Sequence, residues 1–160
     1  TGADLSPMML EIGRQKVEQR GFSDRISLVE CNALKLPFAD LQFDAVTAAF
    51  GVRNFEDLPK GLSEMYRVTK RGGKIYILEF SKPQKGIIST FYLFYFRRIL
   101  PAIGRLVSKD ENAYSYLPDS VLTFPSGNEF TKILGEVGYR NCKSKMLTFG
   151  IATIYEGEKL

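Results

Sequence analysis

The chain has 160 residues, with 22 basic and 18 acidic side chains, 44% hydrophobic and 25% charged residues, two cysteines, and neither histidine nor tryptophan. That length and balance predict one soluble globular domain, while the lack of histidine excludes imidazole general bases, Ser-His-Asp and Cys-His nucleophiles, and imidazole zinc sites. Cys31 and Cys142 have no CxxC spacing and point to a reducing compartment, and a net charge of +4 is too small to argue for nucleic acid.

Thr1-Gly2-Ala3 reads as the tail of a strand. The chain opens without methionine and is read as a fragment or processed form whose start lies upstream. Ser6-Pro7, followed by Met8, Met9, Leu10, Ile12 and Val17, predicts a helix with a serine N-cap and proline in its first turn, stopped at Gly21. Ile26–Cys31 is a short β run, followed by a loop over Leu34–Phe38. Phe43–Phe50 is almost entirely small and apolar, the pattern of a parallel strand buried on both faces. Asp57–Thr69 has apolar residues at helical spacing and is stopped by Arg71-Gly72-Gly73, after which Lys74–Phe80 is again β-like.

The second half reads differently. Gly86–Leu106 predicts one or two amphipathic helices broken at Pro101, and Glu111–Leu122 and Gly127–Val137 predict two more. Cys142–Leu147 and Ile151–Glu156 predict an antiparallel hairpin at one sheet edge, turning around Phe149-Gly150. The expected fold is α/β: a single domain over residues 1–160 with a parallel, doubly wound sheet, that C-terminal hairpin, and a helical insertion at about 86–125.

Ligands of open α/β sheets bind beyond the carboxyl ends of the strands. Four positions there stand out and are expected to converge on one cleft: Asp4, Asn32-Ala33, the loop Gly51-Val52-Arg53-Asn54, and Glu79-Phe80-Ser81. A carboxylate at Asp4 can accept both hydroxyls of a ribose, although an acidic residue after a strand is more often a solvated cap. Asn32 is equally a common turn residue. Arg53 is the stronger candidate, because a permanent cation beyond a buried strand needs a partner even in a structural role. From Phe80 to Lys109 every charged residue is basic, around the aromatic run Phe91–Phe96. That run is either core packing or a surface for a lipid tail at a membrane, and it lacks the ~18 uncharged residues of a membrane span. No GxGxxG, P-loop or paired-carboxylate signature occurs.

The segments TGADLSPMMLEIGRQK, ECNALKLPF, FDAVTAAFGVRN, MYRVTKRGGKIYILEFSKP and YSYLPDSV, in this order, resemble the ubiquinone/menaquinone biosynthesis C-methyltransferases, the UbiE-type enzymes. FGVRN and LEFSKP are the family-specific parts. The resemblance runs from Thr1 to the end of the chain and implies a Rossmann-like class I methyltransferase fold with S-adenosylmethionine as cofactor. It places Asp4 on the ribose hydroxyls and Asn32 with Ala33 against the adenine, and puts Ala49 where many members have a cofactor-contacting serine. The family's first strand and glycine-rich loop would precede Thr1. That strand lies between the strand ending at Asp4 and the one at Phe43–Phe50, so without it this chain is expected to bind cofactor poorly and to self-associate.

The implied reaction is methylation of a ring carbon of a prenylated demethylquinol, as in 2-demethylmenaquinol to menaquinol or on the benzoquinol of ubiquinone biosynthesis. With no histidine, Arg53 is expected to stabilise the developing phenolate and Asn54 to orient the hydroxyl or a water, with Tyr114 and Tyr116 as further contacts to the substrate. Expected partners are the prenylated quinol, an anionic membrane surface and a second copy of the chain, with no metal and no nucleic acid. The expected location is cytoplasmic, peripheral to the inner membrane. Two other readings are a methyltransferase of the same fold acting on another small molecule or a sterol, and a non-catalytic α/β assembly module.

Overall fold

The computed structural model describes residues 1–81 and 120–160. The predicted helices over Gly86–Leu106, most of the helix Glu111–Leu122, the aromatic run and both Tyr114 and Tyr116 lie outside the described residues. The elements are β1 (Gly2–Asp4), α1 (Pro7–Gln19), β2 (Leu28–Glu30), β3 (Phe43–Ala49), a 3-10 turn at Val52–Asn54, α2 (Leu58–Val68), β4 (Thr69–Phe80), α3 (Asn128–Val137), β5 (Arg140–Leu147), a 3-10 turn at Thr148–Gly150, and β6 (Ala152–Glu158).

Local chemistry explains most boundaries. Ser6 Oγ accepts the Met9 N–H, Pro7 supplies no donor where none is needed, and Gly21 takes φ +68° after the last turn of α1. Asp57 caps α2 in the same way through the Lys60 N–H at 3.0 Å. At the other end of α2 a residue from the far end of the chain intervenes. Lys159 Nζ donates to the Tyr66 carbonyl at 2.6 Å and the Arg67 carbonyl at 3.3 Å, and lies 4.2 Å from the Tyr66 ring centroid. Burial, offset in part by Asp40, holds its amine below the usual lysine range.

The described strands form two sheets: β1 pairs with β2 in parallel, and a second sheet has the order β3-β4-β6-β5, with β3 and β4 parallel and β4-β6-β5 antiparallel. No described residue bridges the facing edges of β1 and β3. One expectation needs correction: Phe43–Ala49 is not buried on both faces, since every residue of β3 is half-buried or exposed. Smaller differences follow from backbone chemistry. β2 is shorter than Ile26–Cys31 because the Ile26 N–H turns back to Phe22 O. β4 begins directly after α2, and Arg71-Gly72-Gly73 forms a bulge instead of a helix stop. The β3–β4 register jumps there from Phe43↔Thr69 to Ala45↔Lys74.

The core lies on one face of the larger sheet. Ile75 and Ile77 from β4 and Tyr155 from β6 meet Leu62 and Met65 of α2 and Phe130 and Leu134 of α3, and all are buried. Each large side chain removed from water this way stabilises the fold by about 1.5–3 kcal/mol. Tyr139 closes the layer, stacked edge-on against Tyr66 at 5.0 Å with its hydroxyl 3.4 Å from Thr69 Oγ1. Strand alternation in β4 buries Gly73, Ile75, Ile77 and Glu79, so a carboxylate occupies a core position at the strand's carboxyl end.

Candidate functional site

Between β1 and β3 lies a cavity of about 610 Å³. One wall is the end of β1 and the turn after β2, with Asp4, Cys31, Asn32 and Ala33. The opposite side is β3, whose small Ala45, Ala48 and Ala49 leave the space open, and Gly51 and Asn54 close the end.

The strand ends are shaped by local hydrogen bonds. Asp4 Oδ1 accepts the Ser6 N–H at 2.8 Å, and the Asp4 carbonyl accepts the Cys31 N–H at 3.0 Å, which fixes the two strand ends side by side. Asn32 Oδ1 accepts the Leu34 N–H at 2.8 Å in an Asx turn, aiming the backbone of residues 32–34 along the cavity. The Cys31 thiol is pushed up by burial and then by the Asp4 carboxylate, so it is protonated at neutral pH and offers no nucleophile. A carboxylate at a strand end, an adjacent amide turn, and the apolar Leu36 and Phe38 suit the ribose hydroxyls and flat base of a nucleoside.

Loop 34–40, which carries Leu36 and Phe38, is pinned to α2 by one arginine. Arg67 donates to Glu64, Asp40 and the carbonyls of Leu36 and Phe38 at 2.7–2.9 Å, while Glu64 Oε2 also accepts the Leu36 N–H at 2.8 Å. The Arg67 hydrogen bond holds the Glu64 carboxyl below the usual carboxylate range. Such a depressed folded value adds stability that is present above the unfolded pKa and lost as pH falls through the folded one. Arg67→Ala is expected to cost roughly 1–2 kcal/mol at neutral pH and to flatten the acid limb of stability against pH. Urea melts of both proteins between neutral and acid pH check this; parallel curves would show that the cluster contributes nothing. Across the cavity Phe55 sits against Gly61 of α2, where an added Cβ would lie 2.4 Å from the ring.

The loop after β3 has the densest polar contacts. Phe50 adopts φ +55°, a left-handed conformation that costs a non-glycine residue on the order of 1 kcal/mol or more, and its N–H reaches Leu78 O at 2.8 Å. Its ring lies 4.5 Å from that of Phe80, and its carbonyl accepts from Arg53 Nη1. Arg53 Nη1 also donates to Glu79 Oε1 at 2.9 Å, and the Arg53 backbone N–H reaches Glu79 Oε2 at 3.3 Å. Glu79 is fully buried, and the Arg53 side chain is 10% exposed, with its guanidinium carbon 5.5 Å from the Phe80 ring centroid. Among the described residues Arg53 Nε is the one buried side-chain nitrogen or oxygen without a hydrogen-bond partner.

The structure therefore brings Asp4, Asn32, Ala33, Gly51 and Asn54 onto one cavity. It does not bring Arg53, Glu79, Phe80 or Ser81 into its lining, so the expected convergence of all four strand ends is narrower than predicted. Ser81 instead ties β4 to β6, donating to the Gly150 carbonyl at 3.0 Å and lying 2.9 Å from Thr153 Oγ1. Sequence reasoning missed Phe55 and the Arg67–Glu64 pair. The signal for the pair was present as Glu64 and Arg67 three apart on one helix face; Phe55 could not be placed without the contact at Gly61.

An α/β sheet with a cavity at its strand ends is the architecture of the S-adenosylmethionine-dependent methyltransferases. A solved structure of that class from Aquifex aeolicus superposes with a TM-score of 0.68 at 16% identity, over 99% of this chain and 67% of that one. The chain belongs to the ubiE/COQ5 methyltransferase family, whose profile matches residues 1–159. It is 45% identical over 158 residues to the demethylmenaquinone methyltransferase of Bacteroides fragilis, covering 99% of this chain and 64% of that protein. It is 48% identical over 159 residues to the ubiquinone/menaquinone biosynthesis C-methyltransferase UbiE of Geotalea daltonii, covering 99% and 67%. The chain thus spans about two thirds of the length of these relatives.

Proposed function

We propose that this chain is part of an enzyme that methylates a ring carbon of a prenylated demethylquinol with S-adenosylmethionine, with 2-demethylmenaquinol as the acceptor and the benzoquinol of ubiquinone biosynthesis as an alternative one. The observation that carries the proposal is the shared wall of the cavity. Asp4 and Asn32 line one part and Asn54 another, and Asn54 sits directly beside Arg53 on the family-specific FGVRN loop. The described residues fit the adenosine half of the cofactor, with the Asp4 carboxylate for the ribose hydroxyls and Asn32, Ala33, Leu36 and Phe38 for the base.

When bound, the cofactor supplies a sulfonium methyl that passes to the ring carbon as the sulfur leaves as a neutral thioether, and the proton displaced from that carbon goes to water. The chain's own task is to make a carbon nucleophilic. A quinol carbon attacks only when its neighbouring hydroxyl is ionised or nearly so, and Arg53 stabilises that oxygen by donating to it. Asn54 orients the hydroxyl or the water that takes its proton. Tyr114 and Tyr116 are proposed as further contacts to the quinol. The basic and aromatic segment 80–109 supports a cytoplasmic protein docked on an anionic membrane, where a prenylated substrate resides.

The test is transfer of a labelled methyl group by the full-length protein. A prenylated demethylquinol in anionic vesicles is expected to be methylated at least tenfold faster than a soluble phenol or a sterol, with the advantage shrinking at high salt. Faster methylation of the soluble phenol or the sterol would replace the quinol as substrate. A rate insensitive to lipid charge and salt would remove the membrane from the proposal.

A further inference from the structure

A carboxylate in the hydrophobic phase of a buried strand is expensive unless its charge is matched and its oxygens are bonded. Glu79 is such a group, sharing the face of Ile75 and Ile77 and fully buried. Both of its oxygens accept hydrogen bonds. Oε1 accepts the Phe80 N–H at 2.9 Å and Arg53 Nη1 at 2.9 Å, and Oε2 accepts the Arg53 backbone N–H at 3.3 Å. One carboxylate therefore grips both the main chain and the side chain of Arg53, and Phe50 O takes the same Nη1 from the other side.

The grip has two consequences. The guanidinium is not a bare cation, because a buried negative charge lies against one of its edges; its action on a ligand is short-ranged and directional instead of monopolar. The edge held by Glu79 and Phe50 is spent, whereas Nε–H is buried and unpartnered. A buried donor left without an acceptor costs about 1–3 kcal/mol, so its orientation has to be maintained by contacts elsewhere. Phe50, held at a strained φ of +55°, supplies that carbonyl and is part of the same arrangement.

We propose that Glu79 is a positioning residue: it clamps Arg53 by Nη1 and by the backbone so that the guanidinium is held, already largely desolvated, in a single orientation toward the substrate. This rests on the role given to Arg53 above, but the clamp itself is a property of this chain and is tested separately. Glu79 does not line the cavity, so its removal should leave cofactor affinity alone.

The experiment compares full-length wild type, Glu79→Gln, Arg53→Lys and the double variant by three readouts: turnover on the prenylated demethylquinol, calorimetric affinity for S-adenosylmethionine, and the arginine side-chain Nε–H signals in nitrogen-15 NMR. Glu79→Gln keeps the volume and an acceptor but loses the charge. It is expected to lower kcat roughly ten- to hundredfold, to leave cofactor affinity within about twofold, and to collapse a resolved, slowly exchanging Arg53 Nε–H signal into the averaged arginine envelope. In the Arg53→Lys background the same change is expected to alter kcat by no more than about twofold, because the fork it holds is gone. A kcat unchanged by Glu79→Gln, an equal loss in both backgrounds, or a persistent Nε–H signal would each overturn the clamp. If Glu79→Gln does not fold, Glu79→Asp, which keeps the charge but withdraws it by one methylene, is held to the same outcomes. If wild type methylates no quinol the substrate reading fails, and the NMR signal and its response to Glu79→Gln still decide the clamp.

Discussion

Arg53→Lys is expected to lower turnover of the full-length protein by roughly a hundredfold while leaving its affinity for S-adenosylmethionine within about twofold. Lysine keeps a positive charge beside the buried Glu79, so the ion pair survives, but it cannot donate as a planar fork. Cofactor affinity should hold because Arg53 lies outside the lining of the cavity between β1 and β3. Alanine is the less informative change. It would strand a fully buried carboxylate, at a cost of about 3–5 kcal/mol, and turnover would then fall with the fold. Stopped assays of methyl transfer together with calorimetry separate the two effects. Turnover within threefold of wild type for Arg53→Lys would remove Arg53 from the chemistry.

Asp4→Ala is expected to do the opposite, weakening cofactor affinity by roughly a hundredfold with a much smaller effect on kcat at saturating cofactor. A carboxylate that accepts two ribose hydroxyls makes two charge-assisted hydrogen bonds of about 1.5–3 kcal/mol each in place of bonds to water. The geometry allows for this because Asp4 ends β1 at the cavity wall, tied to Ser6 N–H through one oxygen and to Cys31 N–H through its carbonyl. The helix behind it should survive, since Ser6 and not Asp4 caps α1. Isothermal titration decides the matter; an unchanged dissociation constant would place the ribose elsewhere.

How much of this was legible beforehand differs between elements. Helix α1 is readable from its Ser6-Pro7 start and α2 from apolar residues at helical spacing, both of them local signals. The antiparallel hairpin of β5 and β6 is readable as two β runs on either side of Phe149-Gly150, although it runs two residues further at two ends, because Glu158 pairs both with Lys74 of β4 and with Arg140 of β5. The burial of β3 differs from what its composition predicts. An apolar run says that a strand tolerates burial on both faces, but whether a neighbour is there depends on strands distant in sequence, and the described β3 faces a cavity on one side.

The candidate site divides along the same line. That Asp4, Asn32 and Asn54 stand at strand ends followed from the βα alternation alone, since a residue directly after a strand is delivered to the carboxyl edge of the sheet whatever the rest of the chain does. The fate of Arg53 could not follow from it. Its partner Glu79 is 26 positions away and reaches it only because β3 and β4 pair in parallel with Ala49 opposite Leu78, which sets the two strand ends side by side. Chain order settles which residue types arrive at the edge, and no imidazole is among them. Tertiary structure alone decided which of them face the cavity and which are spent on each other, because buried charge is matched through space and not along the chain.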